Sequence, residues 1–285
     1  MLKQRILTAL VLLALFLPAL FAQDVRPFMA LTLMLVAAGA WEWSRLILPG
    51  RRGLAWLSPL LLLALGGAAW QAGWTTEAPA WLWTATGALW VLGAVWTVGR
   101  GVSGWSLASP SLRWALGLLL LAVAWVAMAA ARTRGINFLL SCLVLVWAAD
   151  VVAYFAGRAL GRRWITRGLA PAISPNKSWE GALGGLLGVW AVAALWVQID
   201  RWFLVDSVSL FTWLAGPGLW LAVPALAFMT AMSVLGDLVE SLVKRSAGVK
   251  DSSGLLPGHG GVLDRLDALL PTLPLAMMLV GALRG

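Results

Sequence analysis

The chain has 285 residues, 61% hydrophobic and only 12% charged, with 21 Lys and Arg against 12 Asp and Glu. A soluble domain carries about a quarter charged residues, so this composition and a mean hydropathy of +0.87 exclude an ordinary soluble domain. The net charge of +9 then points to membrane topology and anionic partners, with no nucleic acid expected.

Taken in order, the apolar runs predict an all-α, polytopic integral membrane protein of about nine transmembrane helices. The spans fall near 6–22, 27–48, 54–72, 79–98, 112–131, 135–156, 180–199, 218–240 and 266–283. Each approaches the ~20 residues that cross a bilayer. The opening MLKQR and the run after it resemble a signal peptide. The run nevertheless nears spanning length, and Leu20-Phe21-Ala22 is a poor small-x-small cleavage site, so a retained first helix is expected. Glu42 is the exceptional polar residue of the first five spans. With Arg45 three residues on, it reads as a paired surface carboxylate. The many Trp near span ends read as interfacial belts, and the single Cys142 as a buried structural thiol. Residues 202–216, interrupted by Asp206 and Gly216-Pro217, read as interfacial. One membrane domain is expected, with 1–134 as scaffold and 135–285 as the half that carries chemistry.

Lys and Arg set the orientation. One set of connections holds Lys3, Arg5, Arg45, Arg51, Arg52, Arg100, Arg113 and the basic residues of the long C-terminal loops. The other holds only Arg26, Arg132, Arg134, Arg201 and Arg284. This places the N-terminus and the polar loops in the cytoplasm, with Arg132 and Arg134 as the weak point.

Three patches on that side carry polar chemistry. Asp150, Tyr154 and Arg158 follow one another at i,i+4 near the end of span six, and a carboxylate inside an apolar span marks a site or an ion pair. Ser174, Asn176, Lys177 and Ser178 precede span seven, where a helix start offers free N–H groups to phosphate. The third patch runs from Ser241 to Asp267, SLVKRSAGVKDSSGLLPGHGGVLDRLD, with Asp237 and Glu240 one turn upstream. Asp237, Glu240, Ser241 and Lys244 share a helix face, and Asp264 and Asp267 are spaced to share another. Two helix ends could so bring carboxylates together, as Mg2+ prefers, around a glycine-rich loop that approaches phosphate.

The third patch resembles the full motif of phosphatidate cytidylyltransferases, also called CDP-diacylglycerol synthases, without departure over its 27 residues. The first two patches look like that family's cytoplasmic segments. The resemblance covers about residues 140–270. It implies the reaction of CTP with phosphatidic acid to give CDP-diacylglycerol and pyrophosphate, in a multi-pass protein of the bacterial inner (plasma) membrane with its site facing the cytoplasm. It implies a metal set of Asp237, Asp264 and Asp267 for Mg2+, with a second cation such as K+ beside it, and a homodimer. Lys244, Arg245, Lys250 and Arg265 would bind phosphates. Asp150 and Asp251 would support the metal or orient bases. Asp150, Tyr154, Arg158, Ser174, Asn176, Lys177 and Ser178 would contact substrate. His259 is expected to touch phosphate or organise its loop, since an ionised lipid phosphate needs little general-base help. A CDP-alcohol phosphotransferase is disfavoured because its DGxxAR run is absent. A cation-coupled transporter is disfavoured because the carboxylates sit at helix ends in one half.

Overall fold

A computed structural model describes residues 2–283. Its elements are α1 (Leu2–Phe21), α2 (Arg26–Ile47), α3 (Arg52–Gln71), α4 (Ala80–Trp105), α5 (Pro110–Arg134), α6 (Ile136–Leu160), α7 (Trp179–Trp202), α8 (Leu210–Ala215), α9 (Leu219–Ser246), α10 (Leu263–Leu266) and α11 (Leu269–Ala282). No strand occurs among the described residues. Two isolated bridges, Ala170–Ser174 and Leu256–Gly260, close the two polar loops. Every expected span is a helix, and eight helical segments among the described residues are long and apolar enough to cross a membrane. The expected span at 27–48, α2, is not among those eight; it carries Arg26, Glu42 and Arg45 and buries Thr32, Glu42 and Ser44. Residues 202–216 hold only the short α8, which buries Leu210, Phe211 and Leu214.

α5 is the central helix. It buries a run of small residues, Ala122, Ala124, Ala127, Ala129, Ala130 and Ala131, so its neighbours approach closely. Trp125 is fully buried there and donates to the Met29 carbonyl at 3.2 Å, so it does not belong to an interfacial belt. Arg132, awkward for the orientation, donates to the carbonyls of Leu20 (2.9 Å) and Ala22 (2.7 Å). Its charge therefore satisfies the open C-terminus of α1. Arg284 lies outside the described residues.

α6 and α7 pack through a glycine stripe. A Cβ at Gly185 would lie 2.7 Å from the Ala149 carbonyl, and one at Gly181 3.0 Å from that of Ala153. This closeness sets the ends of α6 and α7 side by side, where the first two polar patches lie. At the opposite end, Asp200 accepts from Asn137 Nδ2 (2.9 Å), Ser209 Oγ (2.5 Å) and Thr212 Oγ1 (2.6 Å). Asp206 accepts from the first α6 amides, Ile136 and Asn137. These bonds tie α6, α7 and α8 together away from the polar loops.

Candidate active site at one end of the bundle

A cavity of about 620 Å³ opens where α7 begins, between α6 and α9. Asp150, Tyr154 and Arg158 reach it from α6, Asn176, Lys177 and Ser178 from the loop before α7, and Asp237 from α9. Three stretches separated in sequence thus supply one wall each. Arg158 donates to the Tyr154 hydroxyl at 3.3 Å, so the i,i+4 spacing makes a hydrogen bond, while Asp150 stays on the cavity wall. Ser178 is the N-cap of α7 and its Oγ accepts from Gly181 N at 3.1 Å. Gly181 and Ala182 of the first α7 turn line the cavity, their amides bonded to Ser178 Oγ and to the Ser178 carbonyl. Ser174 is engaged in the loop turn, its amide bonding the Ala170 carbonyl at 2.8 Å, and does not line the cavity.

Lys177 Nζ lies 2.5 Å from Asp237 Oδ2, and Ser241 Oγ donates to the other oxygen at 3.1 Å. Asp150 and Asp237 line the cavity with Lys177, and Asp267, behind them, is near enough to feel both carboxylates and the Lys244 charge. A Cβ at Gly236 would lie 2.5 Å from the Asp267 carbonyl oxygen, so the glycine lets α9 pack against the start of α11 and brings Asp237 near Asp267.

Asp264 points elsewhere. It accepts from Lys244 Nζ (2.6 Å), Ser252 N (3.1 Å), Ser252 Oγ (3.0 Å) and Gly261 N (2.7 Å). Lys244 is also ion-paired with Glu240. The expected shared face of Asp264 and Asp267 is not formed as a ligand pair, because α10 is a single turn and Asp267 sits at its junction with α11. Among the described residues no three His, Cys or carboxylate side chains are grouped to hold a metal ion. The donor chemistry still fits a hard cation at Asp237 and Asp267, where carboxylate oxygens outnumber local positive charge.

Glu42 is not the surface carboxylate its spacing suggests. It is fully buried and does not pair with Arg45. It accepts from Val262 N (3.0 Å), Leu263 N (2.8 Å), Ser252 Oγ (3.2 Å) and Ser253 Oγ. Arg45 instead stacks over Trp41 at 4.5 Å. Gly261 is required beside it, since any Cβ there would collide with the Glu42 carboxylate and Ser252 Oγ. The first half of the chain therefore supplies the anchor of the third patch. Glu180 does the same for the loop before α7, accepting from the amides of Arg162 (3.0 Å), Trp164 (2.9 Å) and Ile165 (2.9 Å). Arg162, at φ 62°, is held in the left-handed region by that bond and by its own bond to the Pro175 carbonyl at 2.6 Å. Neither acid was given a site role by sequence reasoning. The signal for Glu42 was the one used for Asp150, a carboxylate inside an apolar run.

The rest of the loop lies outside the cavity. Arg245, Lys250 and Asp251 are exposed. Arg265 donates through Nε (3.2 Å) and Nη2 (2.6 Å) to the His259 carbonyl, so both residues shape the loop. Thr8 of α1 donates to the Pro257 carbonyl at 2.9 Å and ties the first helix to it.

Fold and site together define a polytopic helical membrane protein with a charged cavity at one end of its bundle. A family model described as the cytidylyltransferase family matches residues 3–283, and the chain belongs to that family. It is 37% identical to the phosphatidate cytidylyltransferase of Pseudomonas aeruginosa over 99% of this chain and 98% of the relative. It is 39% identical to that of Haemophilus influenzae, covering 96% of each. A Staphylococcus haemolyticus protein of the same name is 40% identical over 53% of this chain.

Proposed function

We propose that the chain joins CTP to phosphatidic acid, releasing pyrophosphate and leaving CDP-diacylglycerol in the membrane. The observation that carries this reading is the cavity where Lys177, Asp237, Asp150 and the start of α7 meet. A phosphate oxygen of the lipid forms the new bond to the α-phosphorus of CTP, and the bond to the pyrophosphate oxygen breaks in line. The lipid phosphate is ionised near neutral pH, so no side chain need remove a proton. Catalysis is then positioning and charge neutralisation.

Lys177 and Arg158 face the phosphates, and the Asn176 amide offers a hydrogen bond to their oxygens. Arg245 and Lys250, exposed on the loop, draw the triphosphate to the mouth. Asp237 and Asp267 would hold Mg2+, with Asp150 near enough to support a second cation such as K+. A divalent ion bound there supplies charge neutralisation for the triphosphate oxygens. In our reading Asp264 serves this set indirectly, by fixing Lys244 and the loop amides. The reading puts the site at the cytoplasmic face of the inner membrane, which the positive-inside rule supports, and includes a homodimer.

The test uses protein purified in detergent with CTP, phosphatidic acid and Mg2+. Equal amounts of pyrophosphate and CDP-lipid are expected. No product, where a known active enzyme gives product on the same lipid, would sink the reading. Omitting Mg2+ should abolish turnover, and turnover undiminished in chelator would remove the metal from it.

A further inference from the structure

A second feature lies on the other side of α9. α4 packs on α9 and α11 and not on its sequence neighbour α5, which packs on α2, α3, α6 and α11. Between α4 and α5 runs a seam with two cavities, of about 110 Å³ and 310 Å³, that share Leu89 and Leu120. The smaller is lined near one end by Trp105 and Arg113, the larger at the other by Trp74 and Trp81. The seam thus extends from one set of helix ends to the other, with an apolar wall between.

One end carries unmet polar demand. Arg113 Nε, Trp105 Nε1 and Trp90 Nε1 are buried and have no hydrogen-bond acceptor, and all three residues line the smaller cavity. Arg113 lies 5.4 Å above the Trp105 ring. Burying an N–H donor without an acceptor costs about 1–3 kcal/mol, so three around one cavity point to an occupant that brings oxygen atoms. Arg113 asks for an anionic one. The apolar length behind it asks for a hydrocarbon chain.

We propose that this seam is a binding site for an anionic phospholipid, with a phosphate oxygen at Arg113, ester oxygens within reach of the indole N–H groups and one acyl chain along Leu89 and Leu120. It is separate from the Asp237 cavity and does not depend on the proposed reaction. Glu240 also lines it, so the bound lipid would back onto the Lys244–Asp264 network.

The test measures lipid retained by the full chain in native mass spectrometry, after delipidation and exchange into phosphatidylglycerol or phosphatidylcholine. Phosphatidylglycerol should be retained preferentially. Arg113→Gln should weaken its retention by about tenfold, from the loss of one charge-assisted hydrogen bond, and remove the preference over phosphatidylcholine. Gly93→Leu should block both lipids, since a Cβ there meets only Leu89 Cδ1 at 4.0 Å and the added chain can enter the seam. Ala85→Phe, at an exposed position on the larger cavity, should do the same if Gly93→Leu fails to fold. Equal retention of the two lipids would overturn the headgroup assignment. Undiminished retention in a folded seam variant would overturn the site.

Discussion

Glu42 shows what a single side chain can decide. It is a carboxylate of α2 whose partners lie some 210 positions away, at Ser252, Ser253, Val262 and Leu263. Glu42→Ala leaves two amides buried without acceptors. It should cost on the order of 3 kcal/mol of stability, read as denaturant or thermal midpoint, and abolish turnover. Arg45→Ala, the partner expected from spacing alone, should change stability by about 0.5 kcal/mol or less. The error is instructive, because an i+3 cation is visible in sequence whereas a loop brought back by tertiary folding is not. The Lys177–Asp237 pair was legible only as two separate motifs, each justified by its own helix-end chemistry. Asp237→Asn should lower turnover by about a hundredfold or more at unchanged thermal stability, as expected for a group that acts on developing charge.

At the scale of elements, the helices were legible almost in full, because a run of ~20 apolar residues is a local signal. How they pack was not. The closeness of α6 and α7 depends on Gly181 and Gly185 meeting backbone carbonyls, which hydropathy does not register. Gly185→Val should destabilise the protein by about 1–3 kcal/mol through overpacking. It should also reduce turnover of the folded fraction, because it moves Asp150 away from the α7 start. Gly67→Ala, where a Cβ meets nothing within 4 Å, is the matched control and should be neutral or mildly stabilising. Asp200 makes the complementary case. Asp200→Ala should lower stability by about 2 kcal/mol or more by stripping Ser209, Thr212 and Asn137 of an acceptor. Its folded fraction should turn over normally, since the Asp200 cluster lies at the other end of the bundle from the cavity.

For the molecule as a whole, the division into an inert first half and a chemical second half is too sharp. α1 and α2 hold the glycine-rich loop through Thr8 and Glu42, while α6, α7 and α9 build the cavity. The motif from Ser241 to Asp267 was legible as a unit of chemistry, yet the structure splits its work. Lys244 and Asp264 brace the loop, Asp267 packs against α9 at Gly236, and Arg245, Lys250 and Asp251 stay at the surface. The proposed cytoplasmic orientation has its own test, and Arg132, which counts against it by charge, is consumed by the end of α1. A thiol reagent confined to the periplasm should leave Gly254→Cys unlabelled, while a permeant one labels it. The most direct measurement is CDP-lipid formed from CTP and phosphatidic acid by wild type and by Asp237→Asn, with both proteins shown to be equally folded. The account predicts product from the wild type and about a hundredfold less from the variant; equal rates would place the reaction outside this cavity.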